Sequence, residues 1–320
     1  MSSLFSITEG AAPEVAVEIA AGRVSAAMLE WRAGRPTIAV HAVEPLPPTA
    51  IVPSLTSANT GDRPAVMTAL NRVLERVGRP RRIGLILPDV VARVSLIRFE
   101  QVPARTTDLD QLVRWQVRKS APFPIEDAQV SYARGLRMPD GQDFIVALAR
   151  RAVIEEYEAL CAEAGASAGL VDLATLNVIN AVVAGPAVPS DDWLLVNVAA
   201  DSASIAILRG ADLIFFRNRA SDTDGTVADL MHQTAMYYED RLKGGGFARV
   251  MLAGSSQVGA DIDVIRRSLE ERAGTAVETV DPRQAAALTD RISASPAFLD
   301  TLAPLVGLLL RDRQTDVVTG

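Results

Sequence analysis

The sequence predicts a mixed α/β protein of two related lobes facing a cleft, and three observations carry that prediction. Strand-like stretches alternate with amphipathic helical ones along most of the chain. A strand-turn-strand unit near the start recurs in the second half: VAVEIAAGRVSAAML (15–29) aligns with LVNVAADSASIAIL (195–208), which pairs Glu18 with Asn197, Ala20 with Ala199, Ala21 with Ala200 and Ser25 with Ser204. At 320 residues the chain is also too long for one small core. A duplicated unit in a chain of this size points to a bilobed molecule.

The elements follow in order. VAVEIA (15–20), RVSAAMLEW (23–31) and PTIAVHAV (36–43) read as strands joined at Gly22 and Gly34, from their alternation and β-branched content. Residues 46–64, rich in Pro, Ser, Thr and Gly, carry no sustained period and read as a loop. Val66, Leu70, Val73, Leu74 and Val77 recur at helical spacing over 65–77, and Gly78 and Pro80 end that helix. Two strands follow, at 82–88 and 92–100.

Asp108 is then placed to cap a helix whose expected buried stripe is Leu109, Leu112, Val113, Gln116 and Val117. That helix runs into Pro122-Phe-Pro124, where it must stop. Arg118 and Lys119 suit its carbonyl end, and the prolines can neither donate the next helical bonds nor leave their predecessors helical. Phe123 is expected to anchor the turn by burial. Strands at 128–134 and 143–149 and a helix at 152–164 complete an inserted unit, and 167–183 reads as the strand and helix joining the halves. The second half continues with a third strand at 211–219, helices at 226–242, 261–273 and 297–311, and strands at 248–254 and 276–280.

Composition excludes several classes. Thirty-two basic against 39 acidic side chains give a net charge of −7, which offers phosphate backbones no general attraction, so nucleic acid is not an expected partner. The run Arg79-Pro-Arg-Arg82 reads as a solvated loop. One cysteine, Cys161, allows no intrachain disulfide and suits a reducing compartment. The most apolar stretches are broken by Asp201, Arg209 and Asp300, and the N-terminus lacks a signal-like core, so no membrane span is expected and the expected location is cytoplasmic.

Candidate chemistry sits in the repeated turns. Two facing turns can aim backbone N–H groups at a nucleotide's phosphates, given glycine for close approach and a nearby carboxylate, hydroxyl or lysine. Here Ala20 and Ala199 stand where glycine is wanted, Asn197 is uncharged, and Ser25 stands where a basic residue would reach a phosphate. Glu18, as a magnesium ligand, and Ser202 and Ser204 remain usable. The alternative is two solvent-facing β-turns in a duplicated scaffold. MLAGSS (251–256) offers Gly254, Ser255 and Ser256 at a strand end where an adenosine would approach, and reads equally as a plain strand exit. KGGG (243–246) lacks the Gly-Lys-Ser/Thr order and reads as a helix cap and hinge. His41 and His232 are too few for a histidine triad or a multi-histidine metal site, Cys161 reads as a small buried residue, and no catalytic residue is assigned. The acid pairs Asp191-Asp192 and Asp261/Asp263 read as caps and solubility; Trp115 reads as a partner contact or as the edge of its stripe.

The whole chain, about 13–311, resembles the type IV pilus assembly protein PilM, an actin-like family related in fold to FtsA. The most specific likeness is Arg114-Trp115 leading into Pro122-Phe-Pro-Ile-Glu126 and then Tyr132; LILP (85–88), the paired hairpins, MLAGSS and LVGLLLR (305–311) fall in the family's order. The resemblance implies a bilobed actin-like ATPase fold with a small α/β insert. The expected parts are 13–81 plus 166–186 as one lobe, 82–165 as the insert and 187–312 as the second lobe, with flexible termini at 1–12 and 313–320.

It also implies ATP and magnesium in the cleft, and a partner: the N-terminal cytoplasmic tail of a PilN-like inner-membrane protein, bound in a groove beside the insert. Other pilus components and self-association are further implied contacts, at a cytoplasmic site peripheral to the inner membrane. The chain departs from the pattern at the nucleotide. The family usually has Asp-Ile-Gly in both turns with a lysine after the first, and two or more glycines in the adenosine loop; here stand Glu18-Ile-Ala20, Ser25, Asn197-Val-Ala199 and Gly254 alone. The resulting expectation is an adaptor with a degenerate cleft. The alternatives are an active actin-like ATPase and a GspL-like component of type II secretion.

Overall fold

A computed structural model describes residues 13–200, 202–220, 227–254, 262–289 and 294–311. The first strands are β1 (Val15–Ala20), β2 (Arg23–Arg32) and β3 (Arg35–Pro45), followed by helix α1 (Arg63–Arg76) and β4 (Arg82–Leu87). After a short 3-10 turn at 89–91 come β5 (Ala92–Phe99), α2 (Thr106–Arg118), β6 (Ala128–Met138), β7 (Gly141–Arg150) and α3 (Arg151–Glu163). Strand β8 (Ser167–Leu173) and α4 (Ala174–Val183) lead to β9 (Asp192–Val198), β10 (Ser202–Arg209), β11 (Asp212–Ala220), α5 (Val227–Asp240), β12 (Arg249–Ala253), α6 (Ile262–Ala273), β13 (Val277–Thr279), β14 (Ala287–Leu288) and α7 (Pro296–Leu310).

The repeat is visible in the sheets. One sheet runs β14-β3-β2-β1-β4-β8, the other β11-β10-β9-β12-β13. In each, a hairpin's first strand lies antiparallel to its second and parallel to the strand that follows the next helix: β1 with β2 and β4, β9 with β10 and β12. The register matches the alignment. Glu18 is the cross-strand partner of Ser25, and Asn197 of Ser204. Because side chains alternate faces along a strand, these four residues share the equivalent face of their two sheets.

Both sheets are buried on both faces. Val15, Val17 and Ile19 join α1 and α3 residues such as Leu70, Val73 and Tyr157, while Ala16, Ala27 and Ile86 meet Leu302, Leu305 and Leu309 of α7. In the second lobe Leu194, Val196, Ile205 and Ile207 pack on Leu230 and Met231 of α5 and Leu269 of α6. The insert has its own layer, a sheet of order β5-β7-β6 against Leu109, Val113 and Val117 of α2. Phe123 is partly buried on that layer, as expected of the turn anchor.

Four boundaries differ from the sequence reading. Strand β4, expected in the insert, hydrogen-bonds to β1 and β8 and so belongs to the first lobe's sheet. Helix α3 belongs there too: Glu156 accepts the amides of Asn59 and Thr60 at 2.8 and 2.7 Å, and the Tyr157 hydroxyl donates to Asn59 at 3.0 Å, which ties the 46–62 loop down. The β14 and α7 segments, expected in the second lobe, cross back: β14 pairs with β3, and α7 lies on the first sheet. Helix α2 starts at Thr106, with Asp108 in its first turn rather than at the cap. The expected flexible termini lie outside the described residues.

Candidate functional site

The cleft forms where β1, β4, β9 and β12 end and α4 begins. Glu18 and Ala20 of β1, Arg23 of β2, Asp89 after β4, Asn197 of β9, Ser202 of β10 and Gly254 after β12 all line it. Ser25 and Ser204 lie just behind, fully buried. The structure therefore brings Glu18, Ser25, Asn197, Ser202, Ser204 and Gly254 together; Ser255 and Ser256 lie outside the described residues.

Glu18, Ser25, Asn197, Ser204 and Gly254 are already engaged. Glu18, 4% exposed, accepts from the Arg23 guanidinium at 2.8 Å and from the Ser25 hydroxyl at 3.0 Å, both on Oε2. Asn197 donates to Thr175 Oγ1 at 2.8 Å, and the Ser204 hydroxyl donates to Asp89 Oδ2 at 2.7 Å. Asp89 also accepts the Thr175 backbone N–H at 3.0 Å and the Thr175 hydroxyl. Burial pushes the Asp89 carboxyl above the ordinary range, against the pull of those hydrogen bonds; the charge of Glu18 pushes the same way. Asp172, at the end of β8, is raised to about 7 by burial, with the charge of Arg311 opposing.

Gly254 has a structural reason to be glycine. Its φ is +72°, and a Cβ there would stand 1.8 Å from the Val198 carbonyl oxygen. Its amide donates to Asp300 of α7 at 3.2 Å. Three residues that shape the cleft, Asp89, Thr175 and Arg23, were absent from the candidates read from sequence. The signal for Asp89 was present: a carboxylate directly after the fully buried run Ile83–Leu87 and a proline, at the carboxyl end of a parallel strand, where ligands of open α/β sheets sit.

Magnesium-bound nucleotide does not fit this arrangement. The space between the described residues is about 40 Å³, room for a few waters, where ligand sites run to about 300–1,000 Å³. The carboxylate that would face the cation is paired with Arg23, and hydroxyl and helix N–H donors that would face phosphate are spent on Asp89. Among the described residues no cluster of three or more acid, histidine or cysteine side chains is placed to hold a metal ion.

Other candidates resolve into structure. His41 packs edge-on to Phe298 with centroids 4.6 Å apart, and His232 is exposed. Cys161 is fully buried. Asp192, read as a cap or solubilising acid, instead holds Arg209 through two hydrogen bonds of 2.7 and 2.9 Å and accepts the Tyr238 hydroxyl at 2.8 Å. Asp263 lies in the first turn of α6, and Asp261 lies outside the described residues. The 243–246 stretch caps α5, the Gly244 amide donating to the Tyr238 carbonyl at 3.0 Å.

Residues 16–241 match the family model described as type IV pilus assembly protein PilM. The chain belongs to the PilM family. A solved PilM-PilN type IV pilus biogenesis complex contains a chain 17% identical, matched over 96% of this chain and 99% of that one, with a TM-score of 0.76. A Bacteroides thetaiotaomicron protein of actin-like ATPase fold and unknown function is 10% identical over 83% and 89% of the two chains, with a TM-score of 0.51. The cytoplasmic domain of EpsL, an inner-membrane component of the Vibrio cholerae type II secretion system, matches at 14% identity over 74% and 80%, with a TM-score of 0.42. The fold is thus bilobed and actin-like, and the family places this PilM-family chain in type IV pilus assembly. Among the described residues no helix is long and apolar enough to cross a membrane.

Proposed function

We propose that this PilM-family chain is an adaptor on the cytoplasmic side of the pilus assembly complex, binding the N-terminal cytoplasmic tail of a PilN-like inner-membrane protein. The observation that supports it is the match in fold to the PilM of a PilM-PilN complex over 96% of this chain, insert included. The insert offers a suitable surface. Trp115 on α2 is 59% exposed, Lys119 lies 5.5 Å over its ring, and Leu112, Phe123 and Ile125 are half-buried around the same layer. A short tail that orders on binding needs a few such anchors.

The cleft, on this reading, takes no part in nucleotide turnover. The test of the adaptor is titration of the protein with the N-terminal peptide of the PilN-like partner, followed by tryptophan fluorescence and calorimetry. Saturable binding, weakened about tenfold or more by Trp115→Ala, is expected. No saturable heat with the peptide would remove the claim.

A further inference from the structure

Two pairings fill the cleft. On one side Asp89, 5% exposed, receives the N–H and hydroxyl of Thr175 and the hydroxyl of Ser204. Thr175 lies in the first turn of the ten-residue helix α4, whose flanking Leu173 provides no side-chain cap, so Asp89 is the anion at that helix's positive end. On the other side the Arg23 guanidinium lies on Glu18, with its Nε buried and without a partner.

Helix N–H groups and a hydroxyl from a facing hairpin are the donors a bound phosphate uses. A buried carboxylate beside them is what the phosphate's cation uses. Here both are met from within the chain. We propose that Asp89 and Arg23 form a built-in ligand, standing where a phosphate and its cation would, with Asp89 latching the two lobes closed without nucleotide. The proposal deepens, and rests on, the reading of the cleft as one that does not turn over nucleotide.

The hydrogen bonds run from lobe to lobe, which is what makes the pairing a latch. Asn197 of β9 donates to Thr175 Oγ1, Thr175 donates to Asp89, and Ser204 of β10 donates to the same carboxylate. Asn197 and Ser204 are themselves cross-strand partners, so the second lobe grips one carboxylate of the first from both strands of a single hairpin. Every group facing Asp89 in this set is a donor, so no other acceptor takes over if it is lost.

The test compares melting temperatures of the wild type, Asp89→Ala and Asp89→Asn. Wild type is expected to be unmoved by up to about 10 mM Mg-ATP or inorganic phosphate, since a ligand stabilises only what it binds. Asp89→Ala is expected to melt about 3–8 °C lower, having orphaned three donors. It should recover at least half of that loss in about 100 mM sodium formate but not in equal sodium chloride, because a small carboxylate refills the vacated place. Asp89→Asn, which turns an amide towards donors, is not expected to be rescued by formate.

If Asp89→Ala does not fold, Ser204→Ala and Asn197→Ala carry the test. Each should speed hydrogen exchange in the β1-β2 and β9-β10 hairpins, and unchanged exchange in both would overturn the latch. So would saturable wild-type stabilisation by Mg-ATP, or an Asp89→Ala protein that melts with the wild type. These measurements contain no partner peptide, so failure of the peptide titration is a separate result.

Discussion

Gly307 is the point where α7, returning from the second half, crosses α4, and adding one methyl there should cost far more than its size. A Cβ on Gly307 would lie 1.7 Å from the Asn177 carbonyl oxygen, 2.6 Å from its carbon and 3.0 Å from the Ala181 nitrogen. Ordinary contact begins near 3.4 Å, so the helices must part by 1.7 Å (3.4 less 1.7), and all three obstructing atoms are backbone. Overpacking of that kind costs about 3 kcal/mol or more. Glycine to alanine inside a helix returns roughly 0.5–1 kcal/mol through lower backbone entropy in the unfolded chain. The net expectation for Gly307→Ala is therefore a loss of at least about 2 kcal/mol in urea unfolding followed by near-ultraviolet circular dichroism. Gly22, in the β1-β2 turn, is the control: a Cβ there meets nothing within 4 Å, so Gly22→Ala should stay within about 0.5 kcal/mol of wild type. A Gly307→Ala protein as stable as the wild type would refute the close crossing, and with it the placement of Thr175 two residues before Asn177.

Removing Arg23 leaves Glu18 buried with one hydroxyl partner, so Arg23→Met is expected to lose about 3–5 kcal/mol, while Glu18→Gln combined with Arg23→Met loses clearly less; urea curves for wild type, the two single variants and the double give the coupling. His41 is held down at about 4, by burial first and by the charge of Arg23 second. The folded protein keeps it neutral while the unfolded chain takes up a proton, so its stabilisation is full above about pH 6.5 and is lost as pH falls towards 4, by about 2–3 kcal/mol. His41→Gln should flatten that part of the stability profile. The Cys161 thiol is pushed up to about 12, chiefly by burial, and should not react with a thiol reagent at neutral pH until the protein is unfolded in denaturant.

The hairpins were legible because their information is local. Alternation gave β1, β2, β9 and β10, and a simple alignment of the halves already made Glu18 equivalent to Asn197 and Ser25 to Ser204; the structure sets Glu18 opposite Ser25 and Asn197 opposite Ser204 in matching registers. The partners of those residues were not legible, since Asp89, Thr175 and Asp300 come from three separate element ends and meet only once both lobes are assembled. Helix α7 carries a signal of its own in the sequence. Leu302 to Leu310 is apolar on every side, and all nine residues are buried, which is the pattern of a helix enclosed between layers rather than laid on the outside of a lobe. A surface helix of the second lobe would have carried a polar stripe. Trp115 illustrates the reverse: its place beside an apolar stripe was readable, but only the packing of α2 leaves it 59% exposed.

Duplication has given the cleft two hairpins of one geometry and unequal chemistry. The first half contributes an acid and a base, Glu18 and Arg23; the second contributes neutral Asn197, Ser202 and Ser204. With Asp89 and Asp300 added, the charged side chains lining the cleft among the described residues are three carboxylates against one guanidinium. A triphosphate entering would add charge of the same sign at close range, where like charges in a poorly solvated site repel by several kcal/mol. Magnesium would offset part of that only by displacing Arg23 from Glu18, and the displaced guanidinium would then need a new partner. The same asymmetry suits the latch: the neutral hairpin of the second lobe can approach the acidic face of the first without repulsion, and its amide and hydroxyl donate to Thr175 and Asp89 there. A second acidic hairpin could not do this. An aspartate at position 197 would turn a carboxylate towards Thr175 Oγ1, whose proton already serves Asp89, so Asn197→Asp is the substitution that should open the lobes most at the smallest change in volume.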